Sequence, residues 1–334
     1  SQTFQLNLTY RAPARHAPRA LAEYPVLILP GLFLSADITA HTLQPSVAWA
    51  GFPCYSLSMR GHGSSQLASV QKPGKVSLKD YKDDVMAAIA HIDALGRRRP
   101  VVVAHSAMCN VIGSIIADNE ELPGVIYLNG TPTRPKAMMG RVMMQHPFRW
   151  MGGLIANRIT NVVRRSALLS EYMLTEETPA TLAGELQSKL SNESRKVIMN
   201  LFWGGASKGS RCVIPSRTAL VGDEADGMIT PDLIRKTADD LGVTASFTAT
   251  GGHVGYHNRD WRAQAELVVA SLLRWFGVED VDVESEDEML APGSVLSPLS
   301  KVARHRAGVA LRGRERGEDE VDQVSTDDEV EEEM

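Results

Sequence analysis

Val101-Val-Val-Ala-His-Ser-Ala-Met-Cys109 is the stretch that decides how this chain is read. Its β-branched opening makes a short strand. The strand breaks at Ser106, and Ala107–Asp118 continues with a helix-compatible composition. A serine on such a strand-to-helix turn is strained, with its Oγ pushed out over the end of a sheet. The N–H of the next residue is then left free to bind an oxyanion. The turn favours small residues two before and two after the serine. Ala104 fits, whereas Met108 departs from the pattern. Read locally, a serine that merely caps a helix explains the stretch equally well.

The rest of the chain favours the first reading. A serine nucleophile needs a base, and the base needs an acid to fix its tautomer. Downstream, Thr218-Ala-Leu-Val-Gly-Asp-Glu-Ala-Asp226 reads as a strand and turn, followed by a helix opening at Pro231. Ala245-Ser-Phe-Thr-Ala-Thr-Gly-Gly-His253 reads as a strand, a Gly-Gly turn and a histidine before the last helix. Ser106, Asp226 and His253 therefore all fall where strands end, the place where sites gather in open parallel sheets. Two earlier segments fit the same plan. Pro25-Val-Leu-Ile-Leu-Pro-Gly-Leu-Phe33 is a buried strand ending in Pro-Gly, and Tyr55-Ser-Leu-Ser-Met-Arg-Gly-His-Gly-Ser64 is a strand with a glycine-punctuated turn.

On these segments, taken in order, the chain resembles serine hydrolases of the α/β-hydrolase superfamily, above all its esterase- and lipase-like members. The resemblance covers most of residues 20–277. It implies a mostly parallel central sheet flanked by helices, with a helical cap inserted over the site. It implies Ser106 as nucleophile, His253 as base and Asp226 as acid. The oxyanion N–H groups would come from Ala107 and from the loop after Pro30-Gly31, with Leu32 first and Phe33 next. Asp223 competes for the acid because it stands closer behind Gly222. Asp226 is preferred because Asp-x-x-Ile-x-Pro begins there, as in the relatives. Val125–Gly130 ends without an acid, so the alternative acid position of some relatives is not available.

The expected organisation is a core in two parts, 1–130 and 214–277, a helical cap at 131–213 and a disordered charged tail at 278–334. The cap reads as helices at Lys136–Met144, Pro147–Ile159, Ala167–Met173, Pro179–Leu190 and Asn192–Leu201. It holds Met138, Met139, Met143, Met144, Met151, Met173 and Met199, 7 of the 13 methionines. Met adapts to irregular apolar ligands. Met138, Met139, Met143 and Met144, with Phe33 and Trp150, are therefore expected to wall an apolar acyl or alkyl group. Packing of cap against core is the competing role for any one of them.

Charge is unevenly spread. Residues 279–334 carry 18 acidic and 6 basic side chains, a net of −12, and the whole chain is −5, which leaves +7 for residues 1–278. The tail reads as a polyampholyte that stays unfolded. Its partner is unknown, and one reading folds it back on the positive body near the site entrance. It lacks the interleaved aromatics of a nucleic-acid element. No apolar run reaches the ~20 residues of a membrane span. Cys54, Cys109 and Cys212 show neither metal nor disulfide spacing, which points to an intracellular compartment, cytoplasmic or organellar. Arg11, Arg15 and Arg19 precede the first acid, Glu23; an ordinary surface strand and loop is preferred over the remnant of an organellar presequence. No phosphate loop or G-x-G-x-x-G fingerprint occurs, so no cofactor is implied. His253 and His257 lack a third ligand, so no metal is expected. His105 is expected to be structural and His62 to brace loops, with Asp83 and Asp84 as surface charge. The chemistry expected is two-step acyl transfer on a small apolar ester. Amide or C–C hydrolysis, acyl transfer to an alcohol, and non-catalytic ligand binding are the alternatives.

Overall fold

The computed structural model describes residues 4–67, 72–118, 121–203 and 217–277. Cys212, the end of the expected cap and the charged tail lie outside the described residues. Seven strands among these residues form one sheet: β1 (Leu8–Arg11), β2 (Val26–Leu29), β3 (Cys54–Leu57), β4 (Val101–His105), β5 (Val125–Leu128), β6 (Thr218–Asp223) and β7 (Ala245–Thr248). Their lateral order is β1-β3-β2-β4-β5-β6-β7. β1 runs antiparallel to β3, and every other pairing is parallel. Parallel strands are covered on both faces and so read as unbroken apolar runs. Val26-Leu-Ile-Leu29, Val101-Val-Val-Ala-His105 and Val125-Ile-Tyr-Leu128 are buried at every position. The edge strands β1 and β7 are only partly buried.

Among the described residues, helices alternate with the strands: α1 (Leu43–Trp49), α2 (Leu78–Ala94), α3 (Met108–Ala117), six helices between β5 and β6, α10 (Pro231–Leu241) and α11 (Trp261–Phe276). The six are α4 (Pro135–Gln145), α5 (Pro147–Ile155), α6 (Ile159–Val163), α7 (Ser166–Tyr172), α8 (Ala180–Lys189) and α9 (Arg195–Trp203). The single helix expected over Pro147–Ile159 is two, because Asn157 takes a left-handed conformation (φ 53°) and ends the first. Among the described residues no helix is long and apolar enough to cross a membrane. Phe276, at the end of α11, stacks on Tyr24 and lies under the Arg217 guanidinium. The described chain therefore ends at the N-terminal edge of the parallel strands, opposite the edge that carries Ser106.

Helix α2 corrects one expectation. Its N-terminus is a capping box, in which the Asp80 carboxylate accepts from the Ser77 N–H and the Ser77 Oγ accepts from the Asp80 N–H. Its buried face is Tyr81, Asp84, Val85, Ala88, Ile89 and Ile92. Asp84 is thus no surface charge. It is 1% exposed and accepts from the Arg60 N–H at 3.0 Å and from Arg60 Nε at 2.9 Å, fixing the turn after β3. Asp83 does face solvent, paired with Lys79. Asp84→Ala leaves the buried guanidinium without its main partner and is expected to lower unfolding free energy by about 3–5 kcal/mol. Asp83→Ala should change it by less than about 0.5 kcal/mol. Urea denaturation of both variants checks this.

Candidate active site

Ser106 follows the last residue of β4 with φ 57°, a left-handed conformation that a residue with a side chain adopts only under strain. Neighbouring glycines make room for the turn. A Cβ on Gly31 would lie 2.9 Å from the Ser106 Cβ, and one on Gly130 would lie 2.4 Å from the Ser106 carbonyl oxygen. Close approach is therefore granted by the loops after β2 and β5. Met108 is buried in the first turn of α3 without displacing the serine from its strained conformation.

The three expected groups meet although they are far apart in sequence. Ser106 Oγ lies 2.8 Å from His253 Nε2, and His253 Nδ1 lies 2.8 Å from Asp226 Oδ2. All three residues are buried, Ser106 being 4% exposed. The other Asp226 oxygen accepts from the N–H groups of Met228 and Ile229, both at 2.8 Å. These bonds fix the carboxyl group and aim its other oxygen at the imidazole. Asp223 has a different task. It accepts from the N–H groups of Ala225, Gly251 and Gly252 and from the Thr248 hydroxyl. It thereby shapes the Gly-Gly turn that carries His253. Burial, partly offset by these bonds, leaves its pKa raised.

Two further side chains hold the histidine loop. Asn129 stands at the end of β5 with φ 44° and donates to the carbonyls of Gly252 and His253 at 3.1 and 2.9 Å. His105 Nε2 lies 2.8 Å from the His253 carbonyl, while the Gly31 N–H and Tyr256 hydroxyl converge on its Nδ1 at 3.1 Å. One ring nitrogen thus donates and the other accepts, which defines a neutral imidazole. Burial agrees, pushing its pKa well below the ordinary histidine value. His105 links the loop after β2 to the histidine loop and has no contact with Ser106 Oγ that would make it a base.

The N–H groups around Ser106 sort themselves by their acceptors. Cys109 N–H returns to the Ser106 carbonyl, Gly31 N–H goes to His105, and Phe33 N–H goes to Glu193 Oε2 at 3.3 Å. The N–H groups of Leu32 and Ala107 have no acceptor among the described residues. The Phe33 N–H is thus occupied, whereas that of Leu32 is not.

Glu193 escaped the sequence reading. It lies in the helical insertion just before α9, and its side chain is fully buried. Its oxygens accept from the Phe33 N–H, His62 Nε2 (3.2 Å), the Tyr81 hydroxyl (2.6 Å) and the Ser194 N–H (2.8 Å). Every neighbour is a donor, so the group is a carboxylate. His62 Nδ1 faces the Arg60 carbonyl at 3.3 Å, so both its ring nitrogens face acceptors, an arrangement that favours the imidazolium. Burial opposes the charge on His62, but Glu193 outweighs it and the histidine pKa is raised. Burial likewise opposes the charge on Glu193, yet His62 and the donors bring its pKa below the usual carboxylate value. The same strap of insertion donates its Ser191 N–H to the Phe33 carbonyl at 2.7 Å, and Gly63 N–H donates to Ser191 Oγ at 3.0 Å. On the other side, the Val254 N–H donates to the Met173 carbonyl at 2.9 Å. The insertion is thus hydrogen-bonded to both the loop after β2 and the histidine loop.

The residues expected to wall the substrate are dispersed. Phe33 (φ 67°) and Trp150 are buried, and Met143 is partly buried against the core. Met144 is 74% exposed, which corrects its expected place in an apolar wall, because it stands on the solvent side of α4. The side chains of Met138 and Met139 lie outside those described.

The Glu193–His62 pair gives a signed pH dependence. The histidine contribution is complete below about pH 6.5, its unfolded value, and is lost as pH rises through the raised folded value. The glutamate contribution is complete above about pH 4.5 and is lost as pH falls through the lowered folded value. His62→Asn should therefore remove part of the alkaline decline in stability, and Glu193→Gln part of the acid decline. Glu193→Gln should also cost about 3–5 kcal/mol at neutral pH, because it strands a buried imidazolium. Urea midpoints across pH for the three proteins check both signs.

The comparisons agree with this architecture. A family model described as alpha/beta hydrolase fold matches residues 24–174. A thermophilic esterase from Thermogutta terrifontis superposes with a TM-score of 0.61 at 14% identity, covering 82% of this chain and 94% of its own. A monoacylglycerol lipase from Paleococcus ferrophilus gives 0.54 at 17% identity over 81% and 99%. A bromoperoxidase from Bacillus anthracis gives 0.59 at 11% identity over 81% and 100%. No curated protein matches the sequence. With the parallel sheet, the strained serine turn and the matched segment in agreement, the chain has the α/β-hydrolase fold.

Proposed function

We propose that this protein is a serine hydrolase that cleaves a carboxylic ester bearing an apolar acyl or alkyl group. One observation carries the reading: Ser106, His253 and Asp226 form a continuous hydrogen-bonded chain beside two N–H groups, of Leu32 and Ala107, that lack an acceptor among the described residues. The esterase and lipase among the similar structures support a hydrolase. Ser106 Oγ attacks the ester carbonyl as His253 Nε2 takes its proton. Asp226 holds the Nδ1–H tautomer and stabilises the imidazolium that forms. The N–H groups of Leu32 and Ala107 receive the oxyanion, each worth ~10²–10³ in rate by analogy with other oxyanion holes. His253 then protonates the leaving alcohol, and water hydrolyses the acyl-enzyme by the same route. A serine forms an acyl ester but not the alkyl ester that needs a carboxylate nucleophile, so this reading excludes dehalogenation through an alkyl-enzyme.

In the same reading, the helical insertion is a cap over the site. Ser106 is only 4% exposed, so a substrate reaches it when the cap moves. Phe33, Met143 and Trp150 are the described residues retained as candidates for the apolar wall.

A fluorophosphonate serine probe should label the native protein, and Ser106→Ala should abolish the label. Esters of graded chain length should then be turned over by the native protein and not by the variant. Folded native protein that neither labels nor hydrolyses any ester would replace this reading with ligand binding on the same fold.

A further inference from the structure

Helix α5 (Pro147–Ile155) is apolar on both sides, yet it is buried on one side only. Trp150 and Gly153 face inward, and a Cβ on Gly153 would meet Val162 at 2.6 Å. Phe148, Met151 and Ile155, at spacings of three and four, face outward with 86, 52 and 75% of their surface exposed. Met144, at the end of α4, adds a fourth exposed apolar side chain at 74%. A helix that is apolar all round is normally enclosed on all sides. A run of large apolar side chains in water marks a contact surface.

The charge around this face states what it meets. Residues 131–170 contain 7 Lys and Arg and no Asp or Glu. Among the described side chains, Arg134 is held by Asp240 and Arg164 by the Leu190 carbonyl. Arg149 lies on α5 itself, and Arg158 lies in the turn that follows; both are exposed. The next acid in the chain, Glu171, is paired with His146. A short apolar face projecting from a cationic segment suits insertion among acyl chains with cations at the headgroups. At Gly152 a Cβ would meet nothing within 4 Å, so no side chain interrupts the middle of the face.

We propose that the outer face of α5 docks this protein on an anionic lipid membrane, with Phe148, Met151 and Ile155 entering the acyl boundary. The surface lies on the segment read here as a cap, so docking would bring a membrane-dissolved apolar molecule to the side of the molecule that must open. The docking itself does not depend on the serine chemistry.

Co-sedimentation of the full chain with vesicles tests it. Vesicles of phosphatidylcholine mixed with phosphatidylserine should bind the protein, and pure phosphatidylcholine should bind it weakly. The attraction should fall as salt rises, through screening. Phe148→Ser with Ile155→Ser should reduce partitioning about tenfold or more. That double variant should still hydrolyse a water-soluble short ester at the native rate if the serine reading holds, and should keep its vesicle defect if that reading fails. Arg149→Glu, which spares the apolar face, should weaken binding only to the anionic vesicles. Three results would each overturn the proposal. The full chain could stay in the supernatant with anionic vesicles at low salt, because its own acidic tail or another surface covers the face. The face could instead pair with a second copy, seen as a concentration-dependent dimer without vesicle binding. Or the double variant could bind as tightly as the native protein.

Discussion

The site depends on one strained residue. Ser106 is held at φ 57° at the end of β4, where a side chain costs roughly 1–3 kcal/mol. That conformation lifts Oγ off the sheet and leaves the Ala107 N–H without a backbone acceptor. It persists because the surroundings leave no alternative: β4 is buried between β2 and β5, and α3 is apolar and packed from its first turn. The glycines after both neighbouring strands are placed where any Cβ would collide with the turn. The parallel sheet is therefore the device that fixes one serine, and the apolar runs of its central strands are what hold the sheet in place.

The other groups of the site are positioned by polar contacts from several parts of the chain. Two carboxylates serve one histidine. Asp226 meets the ring, and Asp223 shapes the turn beneath it. Asn129 and His105 hold the same loop by its carbonyls. On the oxyanion side, Glu193 and Ser191 hold Phe33 by its N–H and its carbonyl, with charged His62 completing the pair. A buried ion pair stabilises little compared with an apolar equivalent, yet breaking one partner is severe. Here it fixes which N–H groups stay open. It also ties the insertion to the loop that carries Leu32 and Phe33.

Much of this was legible in the sequence. The central strands are unbroken apolar runs, and helices such as α10 announce themselves through Pro at the start and Gly just past the end. Ser106, Asp226 and His253, which the structure brings together, each follow a strand that the sequence shows, although β7 is a partly buried edge strand. The preference for Asp226 over Asp223 agrees with the ring contact, although both carboxylates turn out to serve the histidine. The resemblance ranks Leu32 ahead of Phe33, but the acceptor that occupies the Phe33 N–H lies 160 residues away and leaves no trace in the local sequence. Glu193 was hidden for the same reason: its partners at 33, 62 and 81 share no periodicity with it. Asp84 was different. It stands three residues after Tyr81 and four before Ala88, on the apolar face of α2, and that spacing marks it as buried. The break between α5 and α6 and the short helix α1 were missed, because single left-handed residues and seven-residue helices leave little pattern.

In the proposed chemistry, the N–H groups of Leu32 and Ala107, and not that of Phe33, receive charge developing on a substrate attached to Ser106. A crystal structure of the protein after reaction with a phosphonate ester, a covalent mimic of the tetrahedral intermediate, measures this directly. The expected result is phosphorus bonded to Ser106 Oγ, with its oxygen accepting from the N–H groups of Leu32 and Ala107 while Phe33 remains on Glu193. A phosphonyl oxygen held by other donors, or a Phe33 N–H turned away from Glu193 toward it, would overturn this assignment.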